Sequence, residues 1–347
     1  MAGYSWGEQP ADSRTVKLNT NENPYPPSPA VGAALTAFDP SRLRRYPPPL
    51  ANDFRDAAAR LHGVERDWLI ATNGGDELLR LLLTTFLEPG RPLVTTAPSY
   101  SLYPVLAAVQ DCPTVEIPLA ADFALPEDFA ARANAAGAGL TCVVSPHAPS
   151  GRLFSMPELA RLAAEIDGLL LVDEAYVDFV DPGLGHDAIA LVKAHDNLVL
   201  LRSLSKGYAL AGLRFGYGIA HPSVIAPMLE KTRDSYNVDL IAQTLALAAI
   251  EDRAWAAENW AAVRAERVRV ANALTALGCR VPDSQSNFVF PALPAGRDAA
   301  TCKRSLQDAG ILVRHFDSPD VRDRLRITIG TAAENDAVLA HLDGLLT

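Results

Sequence analysis

Lysine is scarce in this chain. Five lysines (Lys17, Lys193, Lys206, Lys231 and Lys303) stand among 31 basic side chains. Cysteine is rarer still, with Cys112, Cys142, Cys279 and Cys302 scattered and no CxxC pair. That spacing excludes a disulfide framework and a cysteine-based zinc site, and fits a reducing compartment. The seven histidines form no HxH or HExxH pattern, so no metal site is expected. Positive charge is in deficit, with a formal net charge of −10. An acidic surface repels phosphate backbones, which argues against a nucleic-acid partner. Long apolar runs are missing too. LIAQTLALAAI (240–250) falls short of the roughly 20 residues needed to cross a bilayer. The first twenty residues carry Glu8, Asp12, Arg14 and Lys17 without an apolar core, so no signal peptide and no membrane partner are expected, and the location expected is cytoplasmic. Neither GxGxxG nor GxxxxGK[ST] occurs, which removes the common dinucleotide and nucleotide-triphosphate loops.

What is present is a chain of 347 residues, 49% hydrophobic and 21% charged, long enough for two packed domains. Its start is proline-dense: NENPYPPSP (21–29), then RRYPPPL (44–50). Proline removes a donor and favours extended chain, so residues 1–45 read as an arm laid over a surface. Next comes alternation. Helical stretches at 51–62, 76–87 and 101–110 separate apolar strands at 68–71, 92–96 and 114–118. Strands at 141–145, 169–173 and 198–202 continue the series. Strands apolar on both faces between helices predict a mostly parallel sheet covered on both sides. Beyond 236 the pattern changes to helices at 237–250 and 254–276, short strands near 287–291, 310–314 and 324–329, and a last helix at 333–346. The expected division is an arm (1–45) packed with a smaller α+β domain (236–347), and a large domain (46–235).

Three stretches could carry chemistry. TNGGDELLRLLL (72–83) follows a strand and opens a helix; its glycines and free N–H groups suit a phosphate, or an ordinary strand-to-helix turn. LLLVDEAY (169–176) sets Asp173 at the carboxyl end of a buried strand, where ligands of parallel sheets bind. It could hold a cationic ring nitrogen or a metal, or be structural. RSLSKGYALAGLR (202–214) places one of the rare lysines after an apolar run. Lysine can form a Schiff base, which arginine cannot, and arginine is never a base. Ser203, Ser205 and Arg214 add hydroxyls and a guanidinium for a phosphate. A lysine, a phosphate cradle and an acidic strand end together describe pyridoxal 5′-phosphate.

Those residues bring the chain to a resemblance. It is similar to the fold-type-I aminotransferases, and most to the histidinol-phosphate aminotransferase family. LNTNENPYPPSP, RRYP, TNGGDE, PSYSLYP, SPHAPSG, VDEAYVDF, SLSKGYALAGLRFGYG, SNFVF, GILVR and RLRITIG follow the family's order. The resemblance implies an α/β fold-type-I transferase with a mostly parallel mixed sheet flanked by helices plus a smaller α+β domain. It implies that Lys206 forms the Schiff base, Asp173 pairs with the ring nitrogen, Tyr176 donates to ring O3′ and Tyr100 stacks on the ring. Gly75, Asp76, Ser203, Ser205 and Arg214 would hold the phosphate, with Tyr46 reaching it from the partner subunit of a homodimer. Arg326 would bind the substrate carboxylate, Arg314 the substrate phosphate, and Asn23 would line the substrate pocket. The reaction implied is transfer from L-histidinol phosphate to 2-oxoglutarate, in histidine biosynthesis. An aromatic or other amino-acid aminotransferase of the same subgroup, or a phospho-amino-acid decarboxylase on the same scaffold, is the enzymatic alternative. A non-catalytic cofactor-binding regulator is the other, weakened because too few residues precede NENPYP for a DNA-binding module.

SPHAPSG departs from the family's SPNNPTG, whose second Asn donates to O3′. Ala148 cannot donate, so the Schiff base is expected to be more basic, by loss of a bond to a charged group worth about 1.5–3 kcal/mol. His147 beside it is expected to point elsewhere.

Overall fold

The computed structural model describes residues 3, 6–10 and 14–346. A seven-stranded sheet forms its centre. In chain order its strands are β2 (Leu69–Thr72), β3 (Leu93–Ala97), β4 (Thr114–Pro118), β5 (Leu140–Val144), β6 (Leu169–Asp173), β7 (Leu198–Ser203) and β8 (Gly216–Ala220). Their spatial order is β2-β8-β7-β6-β5-β3-β4. The run from β7 to β4 is parallel, and β8 is antiparallel to both β2 and β7. Leu170, Leu171, Val172, Leu198, Val199 and Leu200 are wholly buried, as expected for a sheet with helices on both faces. Each such side chain contributes roughly 1.5–3 kcal/mol of burial.

β8 is absent from the sequence reading, and its glycines explain why. Gly216 and Gly218 stand at alternate positions of a short strand, where glycine ordinarily signals a break. Here they face the helix Gly74–Phe86. A Cβ on Gly216 would lie 2.8 Å from the backbone of Gly74 and Gly75, and one on Gly218 would lie 2.9 Å from Leu78. The strand gives up side chains so that the helix can sit directly on the sheet.

The proline-dense start is not extended throughout. Pro29–Thr36 is α-helical, with Ser28 Oγ accepting from the Ala30 N–H and Pro29 in the first turn, where its missing N–H costs nothing. Upstream, β1 (Val16–Lys17) pairs in parallel with β10 (Ile311–Leu312). β9 (Phe288–Val289), β11 (Arg314–His315) and β12 (Leu325–Thr328) make a small antiparallel sheet in the order β11-β12-β9. Helices Leu240–Glu251, Arg253–Ala276 and Ala332–Leu346 lie within three residues of the expected bounds at either end.

Candidate active site

The carboxyl ends of β6 and β7 meet the arm and the small sheet around a cavity of about 480 Å³. Asp173 is the last residue of β6 and is 5% exposed. Its Oδ1 accepts from the Ala175 N–H at 3.0 Å and its Oδ2 from the Tyr103 hydroxyl at 2.9 Å. Burial pushes its pKa up to about 6, with Asp76 and Glu174 adding repulsion, and those two hydrogen bonds only partly offset it. Tyr103 is itself buried, which raises its hydroxyl well above the usual phenol range.

Lys206 follows the end of β7. Its Nζ donates to the Thr20 carbonyl at 2.8 Å. Burial lowers its pKa to about 8, helped by the charges of Arg326, Arg214 and Lys17 and opposed by Glu22. The lysine is therefore partly neutral near physiological pH, which a surface lysine is not.

The start of helix Gly74–Phe86 points into the same cavity. No side chain caps it, so its first N–H groups are available to an anion. Gly74 lies at φ +74°, and a Cβ there would come within 2.7 Å of Arg214 Nη2. Arg214 is held in the left-handed region at φ +56°, and its Nη2 lies 3.3 Å from Asp76 Oδ2. Ser203 Oγ accepts from the Ser205 N–H at 3.1 Å, and both serines line the cavity. An uncapped helix start, two hydroxyls and a guanidinium, with a glycine where a side chain would intrude, fit a phosphate. Tyr100 packs edge-on against Tyr103 with ring centroids 5.6 Å apart.

Across the cavity, the register of β11 and β12 sets Arg314 directly opposite Arg326. Like charges facing each other across strands repel unless an anion joins them. Arg326 donates to the Asn19 carbonyl at 2.9 Å and lies over the rings of Phe288 (5.4 Å) and Phe316 (5.5 Å). Arg314 lies 5.7 Å over Phe316. Tyr176 stands edge-on to Phe288, and its oxygen accepts from Asn21 Nδ2 at 2.9 Å.

Gly75, Asp76, Tyr100, Asp173, Tyr176, Ser203, Ser205, Lys206, Arg214, Arg314 and Arg326 all line this one cavity. Two expected site residues do not. Asn23 turns its amide to the carbonyls of Lys206 (3.0 Å) and Gly207 (3.2 Å), so it braces the lysine's backbone from outside; the arm lines the cavity with Gly3, Gly7, Asn19, Thr20 and Asn21 instead. Tyr46 is 79% exposed and stacks on Tyr236, away from the cavity of its own chain. Tyr103 and Phe316 went unread. Tyr103 sits three residues after Tyr100 in PSYSLYP, one helical turn away, which was the available signal.

Ala148 lines the cavity and offers no donor. His147 does not take its place. It is buried, its Nδ1 accepts from Ser150 Oγ (2.7 Å), and its Nε2–H donates to the Pro98 carbonyl (2.9 Å). Burial lowers its pKa to about 4, so it is a neutral structural ring. Among the described residues, no three His, Cys, Asp or Glu side chains gather as a metal site would need.

The family model for aminotransferases of class I and II matches residues 13–342. Histidinol-phosphate aminotransferase 1 of Trichormus variabilis is 43% identical over the whole of this chain and 97% of its own length. The histidinol-phosphate aminotransferase of Rhodopirellula baltica is 39% identical over 99% of this chain and 93% of its own length. Among solved structures, histidinol-phosphate aminotransferase of Sinorhizobium meliloti in complex with pyridoxal 5′-phosphate superposes with a TM-score of 0.86 at 25% identity, covering 95% of this chain and 90% of that one.

Proposed function

This chain belongs to the aminotransferase class I and II family, and from that premise we propose its reaction. It is a pyridoxal 5′-phosphate-dependent aminotransferase that takes the amino group of L-histidinol phosphate and passes it to 2-oxoglutarate, yielding imidazole acetol phosphate and L-glutamate in histidine biosynthesis. The observation that carries this reading is the meeting of Lys206, Asp173, the uncapped helix start with Arg214, and the Arg314–Arg326 pair in one cavity.

Ser203, Ser205, Arg214 and the N–H groups of Gly75 and Asp76 would hold the cofactor phosphate. Asp173, aimed by Tyr103 and the Ala175 N–H, would hold a cationic ring nitrogen. Tyr176 would donate to the ring oxygen, and Tyr100 would cover the ring face. Bound there, the cofactor supplies an aldehyde that condenses with amines and a ring that withdraws electrons from the donor's Cα. Lys206 Nζ, held near a pKa of about 8, can take the proton from that Cα as a free amine and return a proton as an acid. Arg314 would bind the donor's phosphate, and Arg326 the carboxylate of the acceptor. Phe288 and Phe316 keep water from the guanidinium they flank, which strengthens its hold on an anion.

The test is the absorbance of the purified protein with pyridoxal phosphate. Histidinol phosphate is expected to bleach the visible band, and 2-oxoglutarate to restore it. A band that ignores histidinol phosphate overturns the donor; no band at all overturns the cofactor.

The protein is further proposed to be a cytoplasmic homodimer with shared sites. The exposed, stacked rings of Tyr46 and Tyr236 support an interface at that face. Among the described residues, no helix is long and apolar enough to cross a membrane. Mixing a Tyr46→Ala chain with a Lys206→Ala chain should restore activity that neither has alone. The division into arm (1–45), large domain (46–235) and small domain (236–347) should appear as protease-sensitive junctions.

A further inference from the structure

A second cavity, of about 930 Å³, is walled by the same two segments that serve the first. The loop that brings Ala148 to the first cavity ends at Arg152, which lines the second. Arg324 lines the second, and Arg326, two residues on, lines the first. The lining is divided. Phe123, Met156 and Leu184 are apolar; Arg152, Arg280 and Arg324 are cationic. Asp122 and Asp283 leave the arginines in excess, and Asp122 is already paired with Arg152 at 3.0 Å.

Single nitrogens of several side chains here lack a hydrogen-bond partner. Arg324 is 5% exposed and sits 5.1 Å over the ring of Phe123. Its Nη1 donates to the Phe290 carbonyl at 3.2 Å and Asp323 Oδ1 stands 3.8 Å from its Nε, which is buried with no hydrogen bond. His186 is fixed by Glu174 through Nε2 at 2.8 Å, which leaves its buried Nδ1 without a partner; Arg152 Nε is in the same state. Among the described residues, none holds the side chain of Arg280 by a hydrogen bond or ion pair, and its charge lies close enough to work against that of Arg324. The buried N–H groups of Arg152 and Arg324 without partners cost free energy that a ligand can recover. A roomy, mostly apolar cleft with a few convergent cations is the usual form of a small-molecule site.

We propose that this cavity is an effector site for a small aromatic carboxylate. The carboxylate lies between Arg280 and Arg324, and the ring lies against Phe123, Met156 and Leu184. The occupant touches the back of the Ala148 loop and the residues leading into β12, so it acts on donor binding through the positions of Ala148 and Arg326. Phe123 continues the contact inward by stacking on His147, with ring centroids 6.1 Å apart.

Indole-3-acetate is the probe, with uncharged indole-3-ethanol beside it, titrated calorimetrically into the holoenzyme. The acid is expected to bind saturably and to shift the KM for the amino donor. Arg280→Ala, at an exposed position outside the catalytic machinery, should weaken binding about tenfold or more, the size of one charge-assisted hydrogen bond. It should remove the KM shift and leave basal activity unchanged. Arg326→Leu should leave calorimetric binding intact. Absence of saturable binding, equal binding by Arg280→Ala or by the alcohol, or loss only in Arg326→Leu overturns the site. Binding without a KM shift overturns the effector role. The calorimetric arm needs no assumption about the donor, so its failure is separable from failure of the proposed reaction.

Discussion

Asp173→Asn should stabilise the cofactor-free protein at alkaline pH while weakening its hold on the cofactor. The reasoning starts from burial. Asp173 is 5% exposed, and its pKa is raised from 3.8 to about 6. A carboxylate raised in this way stabilises the fold most while protonated, below the unfolded value. It loses that contribution as the pH rises through about 6. By about pH 8 the ionised side chain costs roughly 3 kcal/mol relative to the protonated one, because each tenfold change in proton affinity is worth about 1.36 kcal/mol. Asparagine removes the titration and can keep the contacts. Its oxygen can accept from the Ala175 N–H, and its NH₂ can donate to Tyr103, whose hydroxyl turns from donor to acceptor. Urea titrations of the cofactor-free wild type and variant, at about pH 8 and about pH 5, measure the difference; up to ~3 kcal/mol in favour of the variant is expected at the higher pH, shrinking towards the lower. Pyridoxal phosphate affinity should fall at least about tenfold, because the neutral amide cannot pair with a cationic nitrogen. A variant less stable than wild type at the higher pH, with unchanged m-value, would refute the account of Asp173 as a destabilised charge awaiting a partner.

Lys206 in the cofactor-free protein should react with pyridoxal phosphate at a rate that climbs through about pH 8 and then levels; a climb continuing to the ordinary lysine range would show that burial does not depress it. Arg314→Leu should raise KM for the phosphorylated donor more than for 2-oxoglutarate, by about tenfold or more, and should slightly stabilise the cofactor-free protein by removing the charge opposite Arg326. Gly74→Ala, at φ +74° and facing Arg214, should weaken cofactor binding and lower stability by about 1 kcal/mol or more, read by absorbance titration and urea midpoint. Ala148→Asn should lower the pH at which the bound-cofactor absorbance titrates, and Asn21→Ala should raise it; no movement in either would exclude Tyr176 as the surviving donor and Asn21 as its anchor.

Legibility in the sequence followed distance along the chain. Apolar runs such as 169–173 and 198–202 read as buried strands because β-sheet burial is written in consecutive residues. Asp173 and Lys206 could be singled out because each follows such a run directly. β8 hid because its sequence serves a neighbour: Gly216 and Gly218 are there for the helix that lies on them, which no local pattern reveals. The contact of Asn21 with Tyr176 spans 155 residues and that with Thr328 spans 307, so Asn23, equally polar and two residues on, looked no different. Which of two asparagines faces inward is decided by backbone conformation. Asn21 sits at φ +57°, which turns its side chain into the cavity, while Asn23 reaches the carbonyls behind Lys206.

That conformation links the two ends of the chain to the middle. Few residues other than glycine and asparagine accept a φ so far into the left-handed region readily, and the arrangement needs support from its surroundings. Support comes from the small sheet. The Asn21 N–H donates to Thr328 Oγ1, Thr328 Oγ1 donates to Asn21 Oδ1, and Asn287 Nδ2 donates to the Asn21 carbonyl. Asn21 Nδ2 is then aimed at the Tyr176 oxygen, and the next residue upstream, Thr20, gives its carbonyl to Lys206. Thr328 shares a strand with Arg326, so the residue proposed to grip a carboxylate and the residues that brace Tyr176 and Lys206 are fixed to one another. Through Asn21 this relay from β12 through the arm holds the Tyr176 oxygen by a hydrogen bond. A substrate anion drawn to Arg326 would therefore act on the same framework that holds Lys206, the lysine proposed to move the proton.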